Sequence, residues 1–183
     1  MVKPSTKLET ATLGGGCFWC TEAIFERLNG VESVTSGYAG GGMESPSYAA
    51  VSGGATGAAE AIQIRFDPKI ISFEKILEVF FETHDPTTKN RQGADVGTQY
   101  RSVIFYHNNA QKKIAEESKS KIEKLSIHQG KIVTEITPLK NFYKAEEYHQ
   151  KYYDKNPEAP YCQVVIDPKI QKLYKEFKTL TRE

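Results

Sequence analysis

The chain has 183 residues, 39% hydrophobic and 26% charged, with a formal net charge of +1. That length suits a single domain, residues 1–183, with its own core, and the composition is ordinary for a water-exposed globular protein. The balanced charge, without a long basic or acidic run, gives no electrostatic basis for binding nucleic acid or an anionic membrane.

Residues 1–16, MVKPSTKLETATLGGG, contain no apolar stretch of the kind a secretory signal needs, and no window reaches the length of a membrane helix. A cytoplasmic protein is therefore expected. Glu9–Leu13 reads as a short strand running into Gly14-Gly15-Gly16. A helix fits Cys17–Leu28, with Ile24, Phe25 and Leu28 at helical spacing and Asn29-Gly30 as its stop. Val31–Tyr38 reads as a strand, followed from Gly40 to Ala59 by a Gly/Ser/Ala-rich loop long enough to suggest function.

Ala61–Phe66 alternates as a strand does and ends at Asp67-Pro68. Ser72 can cap a helix through Phe81, and Thr83–Gln99 reads as a polar loop. Ser102–Tyr106 is an apolar strand, Ala110–Leu125 an amphipathic helix with a solvated Lys/Glu face, and Ile132–Ile136 a strand. Asn141–Tyr153 is predicted helical. Asn156–Tyr161 breaks the chain with two prolines before a final helix near Pro168–Leu180. Strands that follow one another without a helix between them favour an α+β or mixed α/β sandwich.

The chain carries three cysteines, Cys17, Cys20 and Cys162. An odd and small number does not suit a disulfide framework; such residues are redox-active, catalytic, metal-binding or simply buried. Cys17 follows three glycines at the predicted start of a helix. Glycine lets the backbone turn sharply there, and the helix N-terminus offers free N–H groups and positive potential. Both favour a thiolate with a lowered pKa, a competent nucleophile, over a small buried hydrophobe. Phe18 and Trp19 are core aromatics by default. Beside a reactive thiol they can form an apolar pocket for a methyl group on sulfur. Cys17 and Cys20 form a Cys-x-x-Cys pair, which can be a redox dithiol or half of a zinc site. The four scattered histidines and the lack of a second pair argue against zinc.

The sequence resembles the A-type peptide methionine sulfoxide reductases (MsrA). The likeness rests on Gly16-Cys17-Phe18-Trp19, Ser36-Gly37-Tyr38-Ala39-Gly40-Gly41, Pro46-Ser47-Tyr48, Thr56-Gly57-Ala58-Ala59-Glu60, Phe66-Asp67-Pro68 and His84-Asp85-Pro86-Thr87. It continues through Gly93–Ser102, Glu147-Tyr148-His149-Gln150 and Tyr161-Cys162, in order over nearly the whole chain.

The resemblance implies a two-layer α+β sandwich of ferredoxin-like type, with a mixed sheet, flanking helices and long active-site loops. It implies reduction of the S epimer of methionine sulfoxide, free or within oxidised proteins, by a monomer without metal or bound cofactor. Electrons would come from thioredoxin or dithiothreitol. By position, Cys17 matches the nucleophile, and Phe18 and Trp19 the residues that hold the sulfoxide methyl. Glu60 matches the acid that protonates the sulfoxide oxygen, and Tyr48, Asp95 and Tyr100 the polar residues around that oxygen. The product at Cys17 would be a sulfenic acid, which a second thiol condenses to a disulfide. Cys162 is the first choice for that thiol, since it matches a resolving position and follows a segment expected to be non-helical. Cys20, one helical turn from Cys17, is the rival. Two positions depart from the family pattern: Ala58 stands where His is usual, and Cys20 where many members have Gly.

Overall fold

A computed structural model describes residues 7–182; the reading of residues 1–6 as part of a segment without a signal lies outside them. In chain order the elements are β1 (Glu9–Gly15), α1 (Phe18–Phe25), β2 (Val31–Ala39), α2 (Tyr48–Ser52), β3 (Ala59–Phe66), α3 (Phe73–Thr83), β4 (Arg91–Gln92) and β5 (Asp95–Val96). They continue with β6 (Ser102–Tyr106), α4 (Asn109–Leu125), β7 (Glu135–Pro138), β8 (Phe142–Lys144), α5 (Tyr152–Lys155) and α6 (Asp167–Glu176). Short 3₁₀ turns cover Thr98–Tyr100, Glu147–His149 and Lys178–Leu180, and a π turn covers Cys162–Ile166.

The main sheet runs β7-β6-β1-β3-β2-β8. Its pairs are antiparallel except β6–β7, which is parallel. Within it, β1-α1-β2 and β3-α3-β6 interleave so that β3 lies between β1 and β2 while β1 lies between β3 and β6. That is the split βαβ arrangement of ferredoxin-like folds. Side-chain alternation divides the sheet into two faces. Leu13, Ile62, Ile64, Phe66 and Ile104 pack with Phe25, Ile76 and Phe80 from α1 and α3, whereas Ala59, Ala61, Val103 and Phe105 join a smaller cluster. Glu60 shares the parity of Ile62 and Ile64, so it projects to the face that carries α1.

Capping fixes the helices. Ser72 Oγ accepts from Lys75 N–H at 3.1 Å, and Asn108 Oδ1 accepts from Gln111 N–H at 2.9 Å. Helix α4 stops where Ser126 takes a left-handed conformation, φ 51°.

The structure corrects several expectations. The predicted helix over Asn141–Tyr153 is instead β8, a 3₁₀ turn and the start of α5. The open edge of β2 captures Phe142–Lys144 as a strand, and Gly37 lets the Phe142 ring lie flush against it. The side chain of Gln150 then bonds Ser36 N–H and C=O, so tertiary pairing overrides the local helical pattern. The strand expected over Ile132–Ile136 runs from Glu135 to Pro138, because Val133 N–H is already committed to Pro86 C=O. The loop from Gly40 to Ala59 contains α2, capped by Ser47 Oγ on Ala50 N–H at 3.2 Å, and Thr83–Gln99 contains the β4–β5 hairpin. The final helical segment begins earlier than predicted, at the Cys162 turn, and α6 ends at Glu176.

Gly16 carries φ +95°, and a Cβ there would meet the side chain of Gln92. A Gly16→Ala variant is expected to be destabilised by about 1–3 kcal/mol from backbone strain and displacement of Gln92. Urea unfolding checks this; an unchanged midpoint would contradict it.

Candidate active site

Strand β1 ends in glycines, the chain turns at Gly16, and Cys17 becomes the N-cap of α1, as the glycine run suggested. Cys17 C=O accepts from Cys20 N–H at 3.1 Å, which starts the helix. The Phe18 N–H, one of the groups a helix leaves open at its start, donates to Glu60 Oε2 at 3.0 Å. That bond draws the β3 carboxyl to the residue next to Cys17. Glu60 is 2% exposed, and burial pushes its carboxyl up to about 8. The Phe18 N–H opposes this shift, while Asp95 and Cys20 add to it. At neutral pH Glu60 therefore carries a proton.

Tyr48 and Tyr100 are half-buried, and the acidity of both phenols is suppressed, first by desolvation and then by neighbours that include Glu60, Cys17 and Asp95. Both remain hydroxyl donors. Asp95 accepts from Tyr161 O–H at 2.8 Å, and the same hydroxyl lies 3.6 Å from Cys20 Sγ.

Cys17 is 8% exposed, and all three cysteines are free thiols. The expected lowering of its pKa is not found. Burial is the largest influence and pushes the Cys17 thiol up; the neighbouring Cys20 thiol and Glu60, once ionised, push the same way, against the Trp19 N–H. The helix-terminal donor is present, but removing a sulfur anion from water outweighs it. The Cys20 thiol is pulled down, chiefly by the Cys17 thiol one turn away, with further help from Lys169 and Tyr161 and against burial.

Cys162 is fully buried in the same apolar cluster as Cys17, Cys20 and Ile166. The segment before it does not leave it in irregular chain: it starts a helical turn that runs into α6. Burial, then Cys20, raises its thiol pKa.

Aromatic rings wall the site. Trp19 stacks on Tyr152 with ring centres 3.6 Å apart, meets Tyr161 edge-on at 5.8 Å, and donates from Nε1 to His149 Nδ1 at 3.0 Å. Phe18 packs against Tyr38 and His149, and Tyr48 lies 4.4 Å from His149 between ring centres. The chain thus gathers Cys17, Phe18, Trp19, Cys20, Tyr48, Glu60, Asp95, Tyr100 and Cys162 in one region. It adds His149, Tyr152 and Tyr161, to which the sequence reading gave no role. His149 and Tyr161 do fall in motifs that it quoted, Glu147–Gln150 and Tyr161-Cys162. Tyr152 carried no such signal.

Among the described residues, no group of three or more His, Cys, Asp or Glu is placed to hold a metal ion. His84 bonds Phe80 C=O and Ser102 Oγ, and burial pulls its imidazole down to about 3, so it is a neutral structural residue. Ala58 is buried against Gly41, with its N–H on Thr56 Oγ1 at 3.1 Å. Among the described residues, no helix is long and apolar enough to cross a membrane.

A family model described as peptide methionine sulfoxide reductase matches residues 9–181. A relative from Sulfolobus acidocaldarius, described as peptide methionine sulfoxide reductase MsrA, is 56% identical over 171 residues, covering 93% of this chain and 96% of its own length. Mxr1 from Saccharomyces cerevisiae in reduced form superposes with a TM-score of 0.78 at 41% identity, covering 88% of this chain and 92% of that one. Mxr1 in complex with Trx2 gives a TM-score of 0.56 at 30% identity, covering 83% and 89%.

Proposed function

The chain belongs to the peptide methionine sulfoxide reductase family, and we propose that its reduction of methionine sulfoxide runs through Cys17 as attacking sulfur and Glu60 as proton donor. The observation that carries this is the Phe18 N–H to Glu60 contact, which seats a protonated carboxyl beside the thiol at the helix start. The sulfoxide methyl rests against Phe18 and Trp19, and its oxygen faces Glu60 with the hydroxyls of Tyr48 and Tyr100. Asp95 orients Tyr161 nearby.

A sulfoxide oxygen leaves sulfur only once it gains a proton. As the Cys17 sulfur bonds to the sulfoxide sulfur, Glu60 protonates the oxygen, and the proton that leaves the thiol restores the Glu60 carboxyl. The phenols stabilise the negative charge that builds on that oxygen. Collapse of the adduct transfers the hydroxyl to Cys17, releasing methionine and leaving Cys17 sulfenic acid. The family resemblance assigns the S epimer as the substrate.

A second thiol then attacks the sulfenic sulfur and expels water, forming a disulfide. Cys20, one helical turn from Cys17 in the same apolar cluster, is favoured for this first disulfide, although Cys162 ranks first on resemblance. Both share one apolar cluster, and the charge of Cys20 is felt at Cys162, so exchange onto Cys162 can follow. Thioredoxin returns the enzyme to its dithiol state; the structural relative in complex with Trx2 supports that reductant.

Single and double serine variants at Cys20 and Cys162 test the order. With both replaced, one equivalent of methionine is expected per protein, with the sulfenic acid trapped by dimedone and recycling by thioredoxin lost. With Cys162→Ser alone, a Cys17–Cys20 disulfide is expected by peptide mapping. Accumulated sulfenic acid in Cys162→Ser would instead assign the first disulfide to Cys162.

A further inference from the structure

Glu22 lies in α1, is almost fully buried, and has no part in the chemistry above. Its Oε2 accepts from Lys151 N–H at 2.9 Å, with Tyr152 N–H beside it. Lys151 is a non-glycine residue in the left-handed region, φ 54°, a conformation that persists only where the surroundings hold it. The preceding residue is tied from the other side: Gln150 Oε1 accepts from Ser36 N–H, and its amide donates to the carbonyls of Ser36 and Ala145. Gln150 and Lys151 are thus pinned between β2 and α1.

This pinned pair sits between His149 and Tyr152, the acceptor of the Trp19 indole N–H and the ring stacked on it. Trp19 and Glu22 are three residues apart on α1 and so lie on one face. A closed circuit results, from Trp19 along the helix to Glu22, across to Lys151, and back through His149 and Tyr152 to the indole. We propose that Glu22 is a positioning residue that docks the 149–152 turn against α1 and thereby fixes the Trp19 wall of the substrate pocket. The inference rests on the reading of Trp19 as part of that pocket.

Two features favour positioning over a general structural role. Glu22 bonds only backbone groups of this turn and, in the same buried space, faces Ser36; its Oε1 and Ser36 Oγ have no hydrogen-bond partner. Burial also pushes its carboxyl up to about 7, so the site keeps a costly carboxyl where an apolar residue would pack more simply.

Trp19 is the sole tryptophan, so its fluorescence reports this wall directly. Glu22→Ala and Glu22→Asp, the latter one methylene too short to reach Lys151, are expected to raise KM for methionine sulfoxide about tenfold, the scale of one lost hydrogen bond to a carboxyl. The kcat with dithiothreitol should change less than about threefold, and Trp19 emission should shift to the red. Glu22→Gln, whose amide oxygen still accepts, should restore both readouts; if Glu22→Ala does not fold, Glu22→Asp and Glu22→Gln carry the comparison. Unchanged KM and emission in Glu22→Asp would overturn the proposal, as would Glu22→Gln behaving like Glu22→Asp. A red shift with unaltered KM would uphold the docking role and instead overturn the placement of Trp19 in the substrate pocket.

Discussion

A Cys17→Ser variant is expected to lose methionine sulfoxide reduction by on the order of 10⁴-fold or more, the scale on which enzymes lose turnover when their nucleophile is removed. A serine hydroxyl is far less acidic and less nucleophilic than a thiol, and no adjacent base activates it. The experiment is clean because position 17 caps α1. Serine is a preferred N-cap residue, so the variant should keep its fold, with thermal stability equal to or above that of the native protein. Circular dichroism melting and a methionine release assay measure the two effects separately. Appreciable turnover in the folded variant would remove Cys17 from the chemistry.

Glu60→Gln is the second large effect. The amide keeps the shape and still accepts the Phe18 N–H, but it has no acidic proton to give. Loss of a general acid slows the chemical step by about 10²–10⁴-fold, read in single turnovers. In the native protein the acid form of Glu60 prevails below about 8, so the contribution of this proton should fade as pH rises through that value. Glu60→Gln should lack that descending limb. Stability should fall in the same direction. Between the ordinary carboxylate range and about 8, the folded protein holds a proton on Glu60 that the unfolded chain has released. Stability therefore falls as pH rises through that window, by up to about 1.4 kcal/mol per pH unit. Glu60→Gln should remove this slope and melt higher than the native protein at pH 8. A native-like single-turnover rate at every pH would exclude Glu60 as the donor.

Much of this architecture was legible in the residues. Alternation in Ala61–Phe66, the Ser72 cap and the apolar run Ser102–Tyr106 are local signals, and those elements formed within a few residues of their expected bounds. Cys17 at a helix start followed from three glycines before a helical pattern. The stretch Asn141–Tyr153 reads as a helix in sequence but folds otherwise, because its conformation is set by partners far away in sequence. Phe142–Lys144 completes the edge of β2, and Gln150 bonds Ser36, more than a hundred residues distant. The Cys17 thiol was misjudged for a related reason. The helix-terminal N–H is visible in sequence, but the shell that excludes water, built from Tyr152, Tyr161 and Ile166, comes together only on folding. Tyr48, Asp95 and Tyr100 carry no local pattern that marks them, and only the family likeness singled them out.

The central claim is that oxygen passes from the sulfoxide to the Cys17 sulfur. Intact-mass and peptide mapping of the Cys20→Ser/Cys162→Ser protein, after one turnover with the S epimer of N-acetylmethionine sulfoxide, tests it most directly. One added oxygen on Cys17, matched by one equivalent of methionine product, is the expected result. Methionine product with Cys17 unmodified, or the oxygen on another residue, would contradict it.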